Sequence, residues 1–105
     1  MGGVVADDPN YSSWTTATRA SNLAGVTREI AALKRRIGSR IRQRRGECRM
    51  TQEDLADKAS LSTHYLSEIE AGKRNPTLEM LCRLSFALQL TLAELVNGES
   101  RPAPQ

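Results

Sequence analysis

Apolar residues recur every three or four positions along much of the chain, which is the spacing of one face of an α-helix. The first such run consists of Ile30, Leu33, Ile37 and Ile41. Arginines fill many of the intervening positions, so this helix is predicted to have one buried face and several basic ones. It is expected to start at about residue 22 and to end near Arg45, because Gly46 is a typical helix terminator.

Two short helical patterns follow the basic helix. Thr51 and Asp54 have the spacing of a capping box and predict the start of a second helix. Its buried stripe is expected to consist of Leu55, Ala56 and Ala59. After a break of small residues, Ser62 is a suitable cap for a third helix that ends at Gly72.

The third helix has two chemically different sides. On a helical wheel, Leu66 and Ile69 lie together on one side of it. The opposite side presents His64, Ser67, Glu68 and Ala71. This helix is therefore predicted to be apolar underneath and polar outside.

Two more helices complete the pattern. The loop GKRNP ends at Pro76, after which Thr77 is expected to cap a fourth helix. The predicted buried stripe of that helix is Leu78, Leu81, Leu84, Ser85 and Leu88. Thr91 and Glu94 form a second capping box that opens a fifth helix, and Gly98 ends it. Five helices without strands predict an all-α fold.

The N-terminal part lacks this order. Residues 1 to about 20 are rich in Gly, Ser, Thr, Asp and Pro and show no helical period, which predicts a flexible arm. Its sizeable apolar groups are Tyr11 and Trp14. The predicted organisation is an N-terminal arm over residues 1–29, a helical domain over residues 30–97 and a polar tail over residues 98–105.

Charge is unevenly distributed in this chain of 105 residues, whose net charge is +3. Residues 28–49 hold nine basic groups against Glu29 and Glu47, so the remainder is net negative. Such asymmetry favours a polyanionic partner on one side of the molecule. A solvated, arginine-rich helix face is the alternative explanation of this segment.

Several classes of protein are disfavoured. A single histidine and two distant cysteines provide no metal-site spacing, and no catalytic constellation is present, so we expect no metal, no cofactor and no enzymatic activity. No stretch approaches the roughly 20 apolar residues that span a bilayer, which predicts a cytoplasmic protein with no membrane partner. Cys48 lies among arginines, which leaves a redox role open beside that of an inert thiol.

The second and third helices match a DNA-binding arrangement. Two short helices joined by a tight turn, the second with small polar groups outside, are typical of a helix-turn-helix unit. In such a unit the second helix enters the major groove of double-stranded DNA. The base-reading residues predicted from the outward face are Thr63, His64, Ser67 and Glu68. Lys73, Arg74 and Asn75 in the following loop are predicted to bind phosphates.

Residues about 37 to 96 resemble the Cro/repressor-type, or xenobiotic-response-element-like, helix-turn-helix family. The runs TQEDLA, YLSEIEAGKRNP and TLAEL carry the resemblance by their order and spacing. Within the family, the chain is most similar to small single-domain regulators of bacteria and phages, including restriction-modification controller proteins. The resemblance implies a five-helix, lambda-repressor-like DNA-binding domain, with residues of about 62–71 as the recognition helix.

The resemblance also implies roles for individual residues. Gln52 matches a glutamine that binds phosphate and braces the recognition helix, and Tyr65 matches a frequent phosphate contact. Arg45 matches a position that forms an ion pair with Glu70 and is also expected at the phosphate backbone. The positions that depart from the family's usual glycines at turns are Arg49, Ser60 and Gln89.

Phe86 projects away from the apolar stripe of the fourth helix, and an exposed aromatic residue often marks an interface. We predict that Phe86, Leu90 and Val96 belong to a twofold dimer interface. Cover from the N-terminal arm, through Trp14 or Tyr11, is the alternative.

These features predict a sequence-specific transcriptional regulator that binds a palindromic operator as a homodimer. One alternative is an antitoxin-like regulator whose N-terminal extension binds another protein. The other is a nucleoid-like protein that binds DNA without sequence preference.

Overall fold

The computed structural model describes the backbone of residues 9–98 and 102, and the side chains of residues 23–98 and 102. The described residues form helices and no strands. The helices are α1 (Pro9–Glu47), α2 (Gln52–Ala59), α3 (Thr63–Glu70), α4 (Leu78–Ala87) and α5 (Leu92–Asn97). The predicted five-helix, all-α fold is confirmed. Internal contacts divide the chain into two compact units, Met1–Ala32 and Leu33–Gln105.

The first helix is longer than the sequence pattern indicates. It begins at Pro9, so the predicted lack of helix up to about residue 20 is wrong for residues 9–20. Proline is favourable at a first helical position, and a sequence without an apolar stripe has no period that reveals a helix. The side chains of Tyr11 and Trp14 lie outside the described residues. The alternative that they cover Phe86 therefore falls outside the described part of the chain as well.

Each of the four shorter helices starts with a hydroxyl cap, as predicted. The cap oxygen accepts a hydrogen bond from the backbone N–H three residues later, at 3.0–3.1 Å. These caps are Thr51, Ser62, Thr77 and Thr91. At two of them the reciprocal bond also forms, from Thr51 N to Asp54 Oδ2 and from Thr91 N to Glu94 Oε1. A cap of this kind contributes roughly 1 kcal/mol, which matters for helices of only six to ten residues.

Helices α1 to α4 end in the same type of turn. In each, a backbone N–H bonds to the carbonyl five residues earlier, which is the longer bond of a Schellman motif. The donors of these bonds are the backbone N–H groups of Met50, Leu61, Lys73 and Leu90. The preceding residues, Arg49, Ser60, Gly72 and Gln89, have positive φ. The left-handed turn is therefore retained at three positions without glycine, and α1 continues through Gly46 to end at Glu47.

The core lies within the second unit. Its buried apolar residues are Ile37, Ile41, Leu55, Ala56, Ala59, Leu66, Ile69, Leu84, Leu88, Leu90 and Leu95. Two predicted core positions are wrong: Ile30 is 44% exposed and Leu78 is 68% exposed. Ile30 precedes the part of α1 that reaches the core, and Leu78 is the first residue of α4, whose buried residues come later.

Two residues of α1 fix its contact with the rest of the core. A Cβ on Gly38 would lie 2.3 Å from the Ile69 carbonyl oxygen and 2.7 Å from that of Glu70, so the backbones of α1 and α3 approach closely here. Arg44 is fully buried and donates from Nε to the Leu88 carbonyl at 3.0 Å. The expectation that the arginines of α1 all lie outside is therefore wrong for Arg44, and also for Arg40, which is 8% exposed.

None of the helices in the described part of the chain is both long and apolar enough to cross a membrane.

Candidate nucleic-acid interface

The outward face of α3 carries the four residues that were predicted to read bases. The side chain of His64 is 80% exposed, whereas that of Glu68 is 27% exposed. Thr63 and Ser67 are half-buried. The opposite side, with Leu66 and Ile69, is buried in the core. The predicted two-sided character of α3 is therefore present.

A polar network connects α3 to the loop that follows it. Arg74 Nε donates to Glu68 Oε1 at 2.5 Å, and its guanidinium carbon lies 5.0 Å from the centroid of the Tyr65 ring. His64 Nε2 lies 3.4 Å from the second carboxylate oxygen, Oε2. The hydrogen bond from Arg74 lowers the pKa of Glu68 and in turn raises that of Arg74. The structure thus brings together two predicted base-reading residues and two predicted phosphate ligands.

A second network braces α3 from below. The Glu70 side chain is 4% exposed, and both of its carboxylate oxygens accept hydrogen bonds from Arg45, one from Nε at 2.7 Å and one from Nη2 at 3.0 Å. Gln52 Nε2 also donates to Glu70, at 2.9 Å. The remaining Arg45 nitrogen, Nη1, donates to the Met50 carbonyl at 3.1 Å. The ion pair between Arg45 and Glu70 is confirmed.

These contacts change the expected role of Arg45. All three of its guanidinium nitrogens donate to protein oxygens, and its side chain is only 17% exposed. Little of it can reach a phosphate, contrary to the role predicted for it. Gln52 lies at the first position of α2, where one of its amide hydrogens is used on Glu70.

The loop after α3 differs from the other helix ends. After α1, α2 and α4, the residue that closes the turn is apolar and packs in or against the core: Met50, Leu61 and Leu90. After α3 this position is Lys73, which is exposed, as are Arg74 and Asn75. The end of α3 therefore presents cationic side chains to solvent where the other three turns bury an apolar one.

The three predicted dimer residues are not equally available. Phe86 is 84% exposed, but Leu90 is only 6% exposed and belongs to the core of a single chain. Val96 is half-buried against that core. Because Leu90 is already covered, it can bury little further area against a second copy. An open groove of about 650 Å³ lies beside these residues and is lined by Lys58, Phe86, Ala87, Gln89, Leu90 and Thr91.

Sequence reasoning missed three residues that position this face. Gly38 interrupts the helical stripe next to Ile37, and such a glycine often marks a close backbone approach. Arg44 follows Ile41 by three positions, so its spacing indicated the buried face although its charge did not. Arg83 donates from Nη1 to the carbonyls of Ala59 and Ser60, at 3.4 and 3.3 Å, and so supports the turn before α3. No feature of the sequence predicted the contact between Arg83 and this turn.

Comparison with known proteins agrees with this geometry. A family model described as helix-turn-helix matches residues 41–95, which is more than half of the chain. The immunity repressor protein of Bacillus phage phi105 is 39% identical over 64 residues, which cover 61% of this chain and 44% of the repressor. The transcriptional regulator ClgR of Mycobacterium tuberculosis is 38% identical over 84 residues, which cover 79% of this chain and 70% of ClgR.

A solved structure extends the similarity to the fold. The crystal structure of the restriction-modification controller protein C.AhdI from Aeromonas hydrophila matches with a TM-score of 0.59 and 33% identity. The match covers 61% of this chain and 97% of the controller protein. The chain belongs to the Cro/repressor-type, XRE-like helix-turn-helix family.

Proposed function

We propose that this protein binds double-stranded DNA as a sequence-specific transcriptional regulator, with α3 in the major groove of a palindromic operator. One observation carries the proposal: α3 buries its apolar side and presents a polar side that is flanked by the exposed Lys73, Arg74 and Asn75. A major groove about 12 Å wide admits a single helix. Relatives that are named as a repressor and as a transcriptional regulator support the same function.

Affinity and selectivity come from different residues in this proposal. Lys73, Arg74 and Asn75, with Gln52 and Tyr65, bind the phosphate backbone, which supplies most of the sequence-independent affinity. Thr63, His64 and Ser67 contact base edges and discriminate between sequences. The His64 side chain is 80% exposed, so its ring is available to contact a base edge.

The proposed operator binder is a homodimer. Phe86 is a large apolar side chain with 84% of its surface exposed, and it borders the groove beside α4 and α5. Burial of such a side chain contributes roughly 1.5–3 kcal/mol, so one Phe86 from each copy would stabilise a twofold contact. A twofold dimer places its two recognition helices about 34–36 Å apart, one turn of DNA, and therefore binds a palindrome.

DNA binding is tested by fluorescence anisotropy with the duplex upstream of the protein's own gene and with a scrambled duplex, across a salt series. We expect a preference of at least about a thousandfold for the upstream duplex and a steep salt dependence. Replacement of both His64 and Ser67 by alanine should reduce that preference but leave binding to the scrambled duplex unchanged. Equal, weak binding of the unaltered protein to both duplexes would contradict sequence-specific regulation at this site.

The dimer is tested by sedimentation of Phe86→Glu at micromolar concentration. Burying a carboxylate in the interface should convert the dimer into a monomer. Leu78→Glu is the matched control, because Leu78 is also apolar, exposed and on α4, but at its other end. The interface is wrong if Phe86→Glu sediments with the mass of the unaltered protein.

A second candidate function is the binding of a partner protein through the N-terminal part of α1. Leu23 and Ile30 are 78% and 44% exposed, and their spacing of seven residues places them on the same helix face. An antitoxin-like regulator would use such a face to hold a partner helix. Purification from the native host should then yield a second protein, and its co-purification should be lost when Leu23→Glu and Ile30→Glu are introduced together. Recovery of the same protein with both substitutions would exclude this face.

A further inference from the structure

Glu68 lies on the outward face of α3, yet its carboxylate is engaged within the protein. Oε1 accepts from Arg74 Nε at 2.5 Å, and Oε2 lies 3.4 Å from His64 Nε2. Its side chain is 27% exposed, against 48% for Arg74 and 80% for His64, so both partners extend further into solvent. A carboxylate with one oxygen bonded to Arg74 and the other beside His64 is poorly placed to accept a hydrogen bond from a cytosine amino group.

Arg74 is held on two sides. Its Nε donates to Glu68, and its guanidinium carbon lies over the Tyr65 ring, 5.0 Å from the ring centroid. Among residues 23–98, its two terminal nitrogens, Nη1 and Nη2, donate to no protein oxygen. Two contacts therefore hold the guanidinium through Nε and its carbon atom, and they leave the donors of both terminal nitrogens available. A planar, bidentate donor of this kind matches the oxygens of a phosphate.

We propose that Glu68 is a positioning residue, which holds Arg74 so that Nη1 and Nη2 bind one phosphate of the DNA backbone. This inference rests on the proposed DNA-binding function and revises the role predicted for Glu68 from the sequence, because Glu68 then acts through Arg74 and reads no base. Lys73, the neighbouring cation of the loop, is exposed and has no such anchor. Arg74 is therefore the loop cation whose geometry is set before DNA arrives.

An acidic residue on a DNA-facing helix also has an opposite effect. Its negative charge repels the phosphate backbone, so removal of the charge alone should tighten binding to every duplex. Glu68→Gln and Glu68→Ala remove the same charge, but only glutamine retains a side-chain oxygen that can accept from Arg74 Nε. A comparison of these two variants separates positioning from repulsion, and alanine is well tolerated within a helix.

The experiment measures binding of both variants to a short duplex of random sequence by fluorescence anisotropy across a salt series. Random sequence removes base reading from the result, since phosphates are common to every duplex. Loss of one phosphate contact at 0.1 M salt should weaken binding about eightfold and reduce the log–log salt slope by roughly 0.9. We expect Glu68→Ala to bind more weakly than Glu68→Gln by up to this factor.

Two controls complete the design. In an Arg74→Ala background, the difference between the alanine and glutamine variants of Glu68 should disappear, because there is no guanidinium to position. Glu79→Gln removes an equal negative charge from α4 but retains a side-chain oxygen that can accept from Arg83, so DNA binding should stay within twofold or become tighter. Circular dichroism of each variant establishes that it is folded before its affinity is compared.

The outcomes are distinct. Weaker binding by Glu68→Ala than by Glu68→Gln, lost in the Arg74→Ala background, supports the positioning role. If Glu68→Ala binds as tightly as Glu68→Gln or more tightly, the positioning role is overturned. DNA binding by the unaltered protein would still support the proposed function. A difference that persists without Arg74 also overturns the positioning role, because Glu68 would then act on the DNA directly. Failure of the unaltered protein to bind any duplex would overturn the proposed function as well.

Discussion

The close approach of α1 and α3 at Gly38 makes a sharp prediction for Gly38→Ala. An added Cβ would lie 2.3 Å from the Ile69 carbonyl oxygen, whereas ordinary contact begins near 3.4 Å. The two backbones would have to separate by about 1 Å, because the carbonyl oxygens of Ile69 and Glu70 belong to the backbone and not to a flexible side chain. Overpacking costs roughly 1–3 kcal/mol, and a contact of 2.3 Å with backbone belongs to the upper part of that range, about 2–3 kcal/mol. This cost exceeds the helical advantage of alanine over glycine, which is about 1 kcal/mol.

Gly46→Ala is the matched control for this substitution. Gly46 lies in the same helix, and a Cβ there would meet no atom within 4 Å. Alanine should therefore raise the free energy of unfolding by about 0.5–1 kcal/mol at Gly46, whereas at Gly38 it should lower it by about 1–2 kcal/mol. Urea unfolding followed by circular dichroism measures both, and the midpoints should move in opposite directions. Equal stability of the two variants would refute the inferred contact between α1 and α3.

Three further predictions concern stability. Ser60→Gly should raise the free energy of unfolding by about 0.5–1 kcal/mol, because it relieves a left-handed backbone at φ 59° in the turn before α3. Leu84→Ala should cost about 2–5 kcal/mol in urea unfolding, and Leu78→Ala less than about 0.5 kcal/mol, because only Leu84 is fully buried. Hydrogen bonds from Thr51 hold the pKa of Asp54 below its ordinary value of 3.8. The stability that the Asp54 carboxylate contributes is therefore present above that ordinary pKa and is lost as the pH falls through the lowered pKa of the folded state. Asp54→Asn should weaken this acid dependence of stability in pH-jump unfolding.

Local signals in the sequence predicted the ends of the helices well. The caps Thr51, Ser62 and Thr91 act through a hydrogen bond to the third residue after them, so residue type and spacing are sufficient to find them. The resemblance also indicated a turn at Ser60, but the serine in place of the family's usual glycine left the geometry of that turn open; the structure shows that it is left-handed.

Features that depend on contacts between distant segments were not predictable in the same way. Arg44 lies on the buried face by spacing, but its buried guanidinium is accommodated by oxygens that spacing does not locate, among them the Leu88 carbonyl and the Glu47 carboxylate. Leu78 fits the apolar spacing of α4, yet it lies at the end of the helix beyond the buried part. Periodicity identifies a face of a helix and cannot say how far along the helix a neighbour extends.

The charges of α3 connect its structure with its proposed function. The helix THYLSEIE carries two glutamates and no lysine or arginine, an unfavourable composition for a helix that faces DNA. Each glutamate meets an arginine from outside the helix: Glu70 meets Arg45 of α1, and Glu68 meets Arg74 of the following loop. Both glutamates lie toward the C-terminal end of α3, where the helix dipole favours the cations that approach them.

This distribution separates the two tasks of a DNA-binding helix. If the positive charge is supplied by segments that flank α3, the exposed positions of the helix are left to small polar side chains that permit a close approach to base edges. Substitutions at His64 or Ser67 should then alter selectivity with little effect on the salt dependence. Substitutions at Lys73 or Arg74 should instead lower the salt slope by about 1 for each cation, with nearly the same loss of affinity on every sequence.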